Sequence, residues 1–407
     1  MIDNKHVLIS GGGLGGLCLA QGLIKSGIPC RVLERDAGSD SREQGYRINI
    51  NPSGSGALKE CLPPERFDLF LKTCAKSDIP FSFATSGMRK LLSFDMAGAG
   101  NLSVNRQILR EVLLAGIEDH VFFGARVVGY ETCDGGVQAI CENGSRFSGD
   151  LLIGADGVNS PVRKQLLPDA EPKDTGVIGI ACPIPLDAHG RELTTDALLQ
   201  GTGLFFGKEG YTVFFARHEF TDEARSAMAL LGKEHVAQRA DDYALWALIC
   251  PREIFGPNAL QMSGEELKAR SLGLTRDWHP KLRRLVQESD SKKFGVINLR
   301  AASRVDKLRS GPVTLLGDAI HSMPPTGGNG GNTALRDAQT LLRCLLNGSG
   351  IAAYEPEMLE YGFDAVDESL GILSNATMRS RFRQLARAGF FMVADQLPGF
   401  KRKVFGS

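Results

Sequence analysis

Short continuous apolar runs at residues 6–10 and 30–34 have the pattern of strands buried on both faces. Between them, residues 14–25 keep apolar or small side chains at helical spacing. A strand, a glycine turn, a helix and a second strand in that order predict a βαβ unit, and so a parallel sheet with a ligand at its strand ends. Residues 105–118 repeat Ile108, Leu109, Val112, Leu113 and Ile117 at three- and four-residue intervals, which predicts a helix. Residues 121–141 break into short strands around Asp134-Gly135-Gly136, a hairpin signal, and residues 150–153 are another buried strand.

From residue 174 to 303 the texture changes. Residues 177–184, 203–206, 211–217, 243–250 and 294–301 read as strands, with Lys208-Glu209-Gly210 turning one pair into a hairpin. Helical stretches at 265–271 and 281–288 intervene, so this region is mixed α+β. Residues 312–316 restore a buried strand, a helix follows from 332 to 346, and 355–397 is mostly amphipathic helix. No repeat or low-complexity linker divides the chain. The pattern predicts an α/β protein in which a Rossmann-like nucleotide-binding domain is interleaved with a mixed α+β domain and followed by C-terminal helices.

Three glycine-bearing joints carry the candidate chemistry. Gly11-Gly12-Gly13-Leu14-Gly15-Gly16 lies between the first strand and the first helix. A pyrophosphate needs free backbone N–H groups at a helix N-terminus; Gly11 permits the turn, Gly13 the phosphate approach and Gly16 the close packing of helix on strand. Glu34, at the end of the second strand, is placed to accept from a ribose diol, and its charge favours FAD or NAD over NADP. The second joint, residues 154–163, ends a strand at Asp156-Gly157 and starts a helix with Ser160 as N-cap and Pro161 at its first position. Alone it reads equally as an ordinary strand–helix connection. The third, residues 317–332, sets Asp318 at a strand end and follows it with a proline–glycine loop stiffened by Pro324 and Pro325. Glycines 327, 328, 330 and 331 suggest backbone pressed against a flat ligand.

Composition narrows the field. The 407 residues carry 47 Lys+Arg against 47 Asp+Glu, a formal charge of zero that gives no support to a nucleic-acid partner. Nine scattered cysteines include no CxxC pair and read as small buried thiols, not zinc ligands or disulfides; no metal site is expected. Glycines interrupt the apolar N-terminal stretch and Asp3 precedes it, unlike a signal peptide. No later apolar run reaches the roughly 20 residues of a membrane span. The sequence predicts a soluble, cytoplasmic protein, monomeric or homodimeric.

The order and spacing of these three joints, with the helix that carries Arg106, resemble the group A flavoprotein monooxygenases, the family of para-hydroxybenzoate hydroxylase, salicylate hydroxylase and the tetracycline-inactivating monooxygenases. The resemblance spans the FAD-binding parts of the chain and is weak across the substrate region. It implies an FAD-binding domain assembled from residues 1–76, 101–173 and 304–350, a substrate domain from 77–100 and 174–303, and a C-terminal helical segment from 351–407. It implies FAD held by Gly11, Gly13, Leu14, Gly15, Gly16, Glu34, Arg35, Arg47, Arg106, Asp156, Gly157, Asp318, Pro325, Gly328, Gly330, Gly331 and Asn332. NADPH or NADH would be co-substrate, docking without a second nucleotide domain, and O2 the oxidant. Tyr46 and Arg47, in a segment similar to the family's border between flavin and substrate, are the candidate substrate-side catalytic residues. The implied chemistry is hydride transfer to the flavin, oxygen addition at its C4a atom, and delivery of one oxygen atom to a small, largely apolar aromatic or natural-product-like substrate by hydroxylation or epoxidation.

The sequence departs from the family at Asn329, where glutamine is frequent, and at Arg336, where glutamate often precedes the aspartate. Tyr211, Phe205, Phe206, Phe214 and Phe215 are either pocket-lining or the core of a sheet. His321 is expected to pack the loop beneath the flavin more than to act as a base. Competing readings are a flavin-dependent halogenase, whose WxWxIP segment is missing here, a flavin dehydrogenase or reductase of an isoprenoid-like substrate, and a catalytically silent FAD-binding protein.

Overall fold

The computed structural model describes residues 6–41, 47–76, 80–95, 100–238 and 240–397. Gly45 and Tyr46, expected at the substrate border, lie outside these residues. The apolar runs become a five-stranded sheet in which Val7–Ser10 is central, flanked in parallel by Leu151–Gly154 and Cys30–Glu34, with Val313–Leu315 and Val121–Phe123 at the edges. The strand of residues 313–315 therefore closes a sheet begun 300 residues earlier, so the third joint arrives beside the first two. The helices Leu14–Lys25 and Asn329–Leu346 pack against each other over this sheet, with Gly15 against Ala334 and Gly22 against Leu342, and Leu17, Leu19, Leu335 and Leu341 are buried in the same core.

The mixed region builds a seven-stranded sheet from Pro80–Thr85, Lys90–Asp95, Lys173–Pro185, Thr202–Phe206, Thr212–His218, Tyr243–Pro251 and Gly295–Ala301. One face is sealed: Phe205, Phe215, Trp246 and Leu248 are buried with Leu267, Leu282 and Leu285 of the helices Gly264–Leu274 and Pro280–Glu288. Strand periodicity turns every second residue to the other face. In register there stand Phe83, Leu204, Phe214 and Ala247, and all four are only half-buried. A two-stranded ribbon, Arg47–Ile50 with Leu102–Asn105, lies apart from both sheets in the hydrogen-bonding order.

Element bounds differ from the sequence pattern at three places. The helix expected over 105–118 ends at Leu114, because Gly116 takes φ +83 and breaks it. The C-terminal amphipathic stretch is two helices, Gly350–Ala376 and Arg381–Gln396, with the second restarted by Ser380, whose Oγ accepts the Arg383 N–H. The helix expected from Asn332 begins at Asn329. Among the described residues no helix is long and apolar enough to cross a membrane, and no cluster of His, Cys, Asp or Glu could hold a metal.

Candidate active site

The three joints meet in one open cleft of about 240 Å³, lined by Ser10, Gly11, Gly13, Gly15, Glu34, Arg35, Ile48, Arg106, Asp156, Asp318, Gly330 and Gly331 among others. Its geometry starts with the glycines. At Gly11, φ +110, an added Cβ would lie 2.4 Å from the Ala155 carbonyl oxygen; at Gly16 it would lie 2.2 Å from the Gly11 oxygen. These two are required by the fold itself. At Gly13 a Cβ would meet nothing within 4 Å and the backbone is ordinary β, φ −82. The protein gives no internal reason for a glycine at Gly13, so the reason is the open cleft it faces.

Glu34 stands at one end of the cleft. Its carboxylate accepts the Gly12 N–H at 2.6 Å and the Asp36 N–H at 2.9 Å, and Arg110 lies 3.8 Å away. Arg110 was not singled out in the sequence. Buried, it donates to the Gly12 carbonyl at 2.9 Å and to the Ser39 carbonyl at 3.1 Å, clamping the glycine turn to the loop after the second strand. Its helix is capped by Asn105, whose side chain accepts the Gln107 and Ile108 N–H groups, and Arg106 opens that helix at the cleft wall. An arginine in a helix five residues past a capping asparagine was the available signal. Arg126 and Val127 also line the cleft without having been expected there.

The second joint delivers Asp156. Ser10 Oγ donates to its Oδ2 at 3.3 Å, while Oδ1 is buried without a partner among the described residues. Burial raises its pKa, against the Ser160 hydrogen bond that lowers it. Arg163, behind it, donates to the Val158 and Ala319 carbonyls and so ties the second joint to the third.

At the third joint Gly317 takes φ +64 and turns Asp318 into the cleft. Asp318 has no side-chain hydrogen bond among the described residues, and burial raises its pKa while His321 and Arg106 pull it down. Beneath it sits a buried polar knot. Asp337 accepts from the Gly317 N–H at 2.7 Å and from the Tyr361 hydroxyl at 2.7 Å, and pairs with His321 Nε2 at 2.7 Å. Burial would lower the pKa of His321, but Asp337 outweighs it and the net shift is upward. His321 is fully buried against Gly362, so it packs the loop and does not face the cleft. Gly330 and Gly331, in the first turn of the 329–346 helix, would place an added Cβ no closer than 3.7 Å to any atom and leave their backbone toward the cleft.

Arg47, Pro325, Gly328 and Asn332 are outside the lining of this cleft. Asn332 instead pins the helix start to the two-stranded ribbon: its Nδ2 donates to the Asn49 and Gly328 carbonyls, and its Oδ1 accepts the Asn51 N–H. The departures from the family also acquire places. Asn329 donates to Glu368 at 2.9 Å, and the Arg336 guanidinium lies 3.7 Å over the Tyr361 ring.

Arg47 lies away from this cleft. Its Nε donates to Ser103 Oγ at 2.8 Å, and Ser103 Oγ is 3.1 Å from Nδ1 of the buried His218. Arg47 is pulled down to about 10 by burial, with no carboxylate partner among the described residues. Burial, then the nearby Arg47 charge, hold His218 down at about 3, so the imidazole is neutral. His218 ends the strand whose Phe214 lies on the half-buried apolar face. At the strand's other end Thr212 donates to the Ala376 carbonyl at 2.6 Å, while farther up the same helix Ser369 accepts from Thr326 of the glycine loop. The Gly350–Ala376 helix thus joins the loop to the sheet face. Phe391 of the last helix stacks on Phe83 at 4.5 Å, and Arg387 lies 3.7 Å over the Phe206 ring. Of the aromatic candidates, Phe205, Phe215 and Tyr211 are core, Tyr211 stacking on Trp278; Phe206, itself buried, and Phe214 stand on the other face, where Phe214 packs against Leu373 and Ala376.

A cleft with an open glycine turn, the Glu34 carboxylate at one end, and the Asp156 and Asp318 carboxyl groups at its wall fits FAD. Comparison with known proteins agrees. Residues 275–367 match the model of an FAD binding domain family. The chain is 35% identical over 384 residues to the dual O-methyltransferase/FAD-dependent monooxygenase elcB of Phaeosphaeria nodorum, covering 83% of this chain and 40% of that protein. It is 29% identical to the FAD-dependent monooxygenase thnD of Trichoderma harzianum, covering 94% of this chain and 96% of that protein. A solved protein from Photorhabdus luminescens, described as an FAD-containing monooxygenase, superposes with a TM-score of 0.81 at 33% identity, over 93% of this chain and all of that one. The chain spans well under half the length of the elcB protein. It belongs to the FAD-dependent monooxygenases, and its cofactor is FAD.

Proposed function

We propose that the protein uses NADPH or NADH and O2 to oxygenate a small, largely apolar aromatic or natural-product-like molecule that carries an acidic group. The observation that carries this reading is the apolar row on the second face of the seven-stranded sheet, which the Gly350–Ala376 and Arg381–Gln396 helices cover only in part. Phe83, Leu204, Phe214 and Ala247 stay half-buried where the opposite face is fully packed. An apolar face left open within an otherwise packed protein marks a ligand surface. A cation stands at each end of it. Arg47 reaches the His218 end through Ser103, and Arg387 covers Phe206 beside the Thr212 end. Burial pulls both guanidiniums down to about 10, and neither has a carboxylate partner among the described residues. A phenolate, enolate or carboxylate on the substrate would supply the missing counter-charge.

FAD, when bound, supplies the redox chemistry between nicotinamide and oxygen. The chain's own residues orient and insulate it. Asp318 and Asp156 would hold its hydroxyls, Glu34 its ribose, and the backbone N–H groups of the turn at Gly13 its pyrophosphate. The N-terminus of the 329–346 helix, opened by Asn329-Gly330-Gly331, favours negative charge on the ring by about 0.3–1 kcal/mol. The aromatic face and the Gly350–Ala376 helix exclude water from the acceptor's side.

The test is NAD(P)H oxidation by the FAD-loaded protein against phenols, hydroxyaromatic acids, indoles, quinolones and polyketides, in parent and Arg387→Gln forms. Acidic apolar aromatics should accelerate oxidation, and Arg387→Gln should raise their KM by about tenfold, the scale of one charge-assisted contact. Equal effects of Arg387→Gln on acidic and neutral substrates, or no acceleration by any member, would contradict the reading.

A further inference from the structure

The last helix is built inside out. At 100° per residue, Phe382, Leu385, Ala386, Gly389, Val393 and Leu397 fall within an arc of about 120° on one side. That side faces away from the protein: Phe382 is 81% exposed, Leu385 73%, Val393 57% and Leu397 50%. The polar side chains Gln384, Arg387 and Asp395 point the other way, into the molecule. Each is tied there. Gln384 donates to the Lys208 and Met378 carbonyls, Arg387 to the Asn375 carbonyl, and Asp395 accepts the Ser93 N–H at 3.2 Å with Lys90 3.7 Å away. No charged residue lies within the outer arc, and Arg381 and Arg383 border it on either side.

Charge runs the same way. Residues 379–407 hold seven Lys and Arg (379, 381, 383, 387, 401, 402 and 403) against the single Asp395, in a chain whose formal charge is zero. We infer that this helix is a docking surface for an anionic lipid surface, lying in its plane with Phe382, Leu385 and Val393 immersed and Arg381 and Arg383 at headgroup level. An apolar stripe about 22 Å long, bordered by basic residues whose stems can extend along it, is the form that interfacial helices take. A second copy of the chain fits less well. Apposing two such helices would bring their bordering Arg381 and Arg383 side chains together, whereas acidic headgroups attract both.

The experiment is flotation of the full-length, FAD-loaded protein with vesicles of phosphatidylcholine alone or mixed with phosphatidylserine, at low and high salt. Light scattering gives its mass in solution. The parent should float with the phosphatidylserine vesicles, much less with phosphatidylcholine alone, and less at high salt. The double substitution Phe382→Asp, Leu385→Asp should reduce the bound fraction by about tenfold or more while FAD content and melting temperature stay at parent values. Both side chains are solvent-exposed, so neither change removes a packing contact the fold relies on. A parent that stays at the bottom of the gradient, or a variant that floats equally well, would overturn the proposal. A parent dimer that fails to float and becomes monomeric in the variant would overturn it too, and would assign the face to a second copy.

Discussion

Gly13 separates cofactor binding from folding more cleanly than any other residue of the cleft. Its backbone is conformationally ordinary and an added Cβ touches nothing of the protein, so Gly13→Val should fold with a melting temperature near the parent's. The branched side chain would occupy the cleft where the pyrophosphate must approach. The FAD-to-protein absorbance ratio of the purified variant should drop at least about tenfold, since displaced charge-assisted hydrogen bonds contribute about 1.5–3 kcal/mol each. Full FAD occupancy in a folded variant would rule out this placement. Asp318→Ala should likewise lose FAD on dialysis faster than the parent, because it deletes an acceptor that no protein donor uses. His218 gives a pH prediction. Its folded pKa lies at about 3, below the ordinary imidazole value, so the unfolded chain binds the extra proton between those limits. Stability is intact above that ordinary value and declines as pH falls from there toward about 3. By about pH 5 the loss should reach roughly 2 kcal/mol, at 1.36 kcal/mol per pKa unit. Urea unfolding of the parent and of His218→Gln at about pH 7 and about pH 5 checks this; an equal loss in both proteins would dissociate His218 from the effect.

At the scale of elements, the joints were legible and the contacts between them were not. Gly11–Gly16, Glu34, Asp156 and Asp318 each follow a strand in the sequence, and strand ends are where an α/β sheet keeps its ligands. What no periodicity encodes is which distant polar groups share a buried site. Arg110 reads as one more helical charge until the fold brings it to Gly12. His321 and Asp337 sit on different helices and meet only because the 329–346 helix packs back over the sheet. Similarly, five aromatic residues around the hairpin could not be divided into core and open face from spacing alone, since both faces of this sheet are apolar. Asp337 should matter to the whole third joint. Asp337→Ala leaves His321, the Tyr361 hydroxyl and the Gly317 N–H without their acceptor, a loss of about 3–5 kcal/mol for a buried pair. Denaturant unfolding should show that loss, and the loosened Gly317–Asp318 turn should also weaken FAD retention. A stability unchanged within experimental error would mean the knot is relieved by water.

For the molecule as a whole, one cleft and one adjacent apolar face have to serve three reactants. The glycine turn with Glu34 fits a dinucleotide, so the cofactor released on denaturation should be FAD and not FMN, which chromatography decides. Among the described residues no second glycine turn opens a βαβ unit, so NAD(P)H should dock transiently, saturating in the micromolar-to-millimolar range of ordinary enzyme substrates and never copurifying. Under the proposed function, the five-stranded sheet would present its strand ends to FAD, and the seven-stranded sheet the side of Phe83, Leu204 and Phe214 to the molecule that is oxidised. The measurement that tests this most directly is turnover under heavy-isotope dioxygen with an acidic aromatic that accelerates NAD(P)H oxidation, followed by mass spectrometry of the product. One oxygen atom from dioxygen should appear in the product for each nicotinamide consumed in coupled turnover. A product formed without label, as a dehydrogenase, reductase or halogenase would give, would contradict the monooxygenase account while leaving the FAD cleft as described.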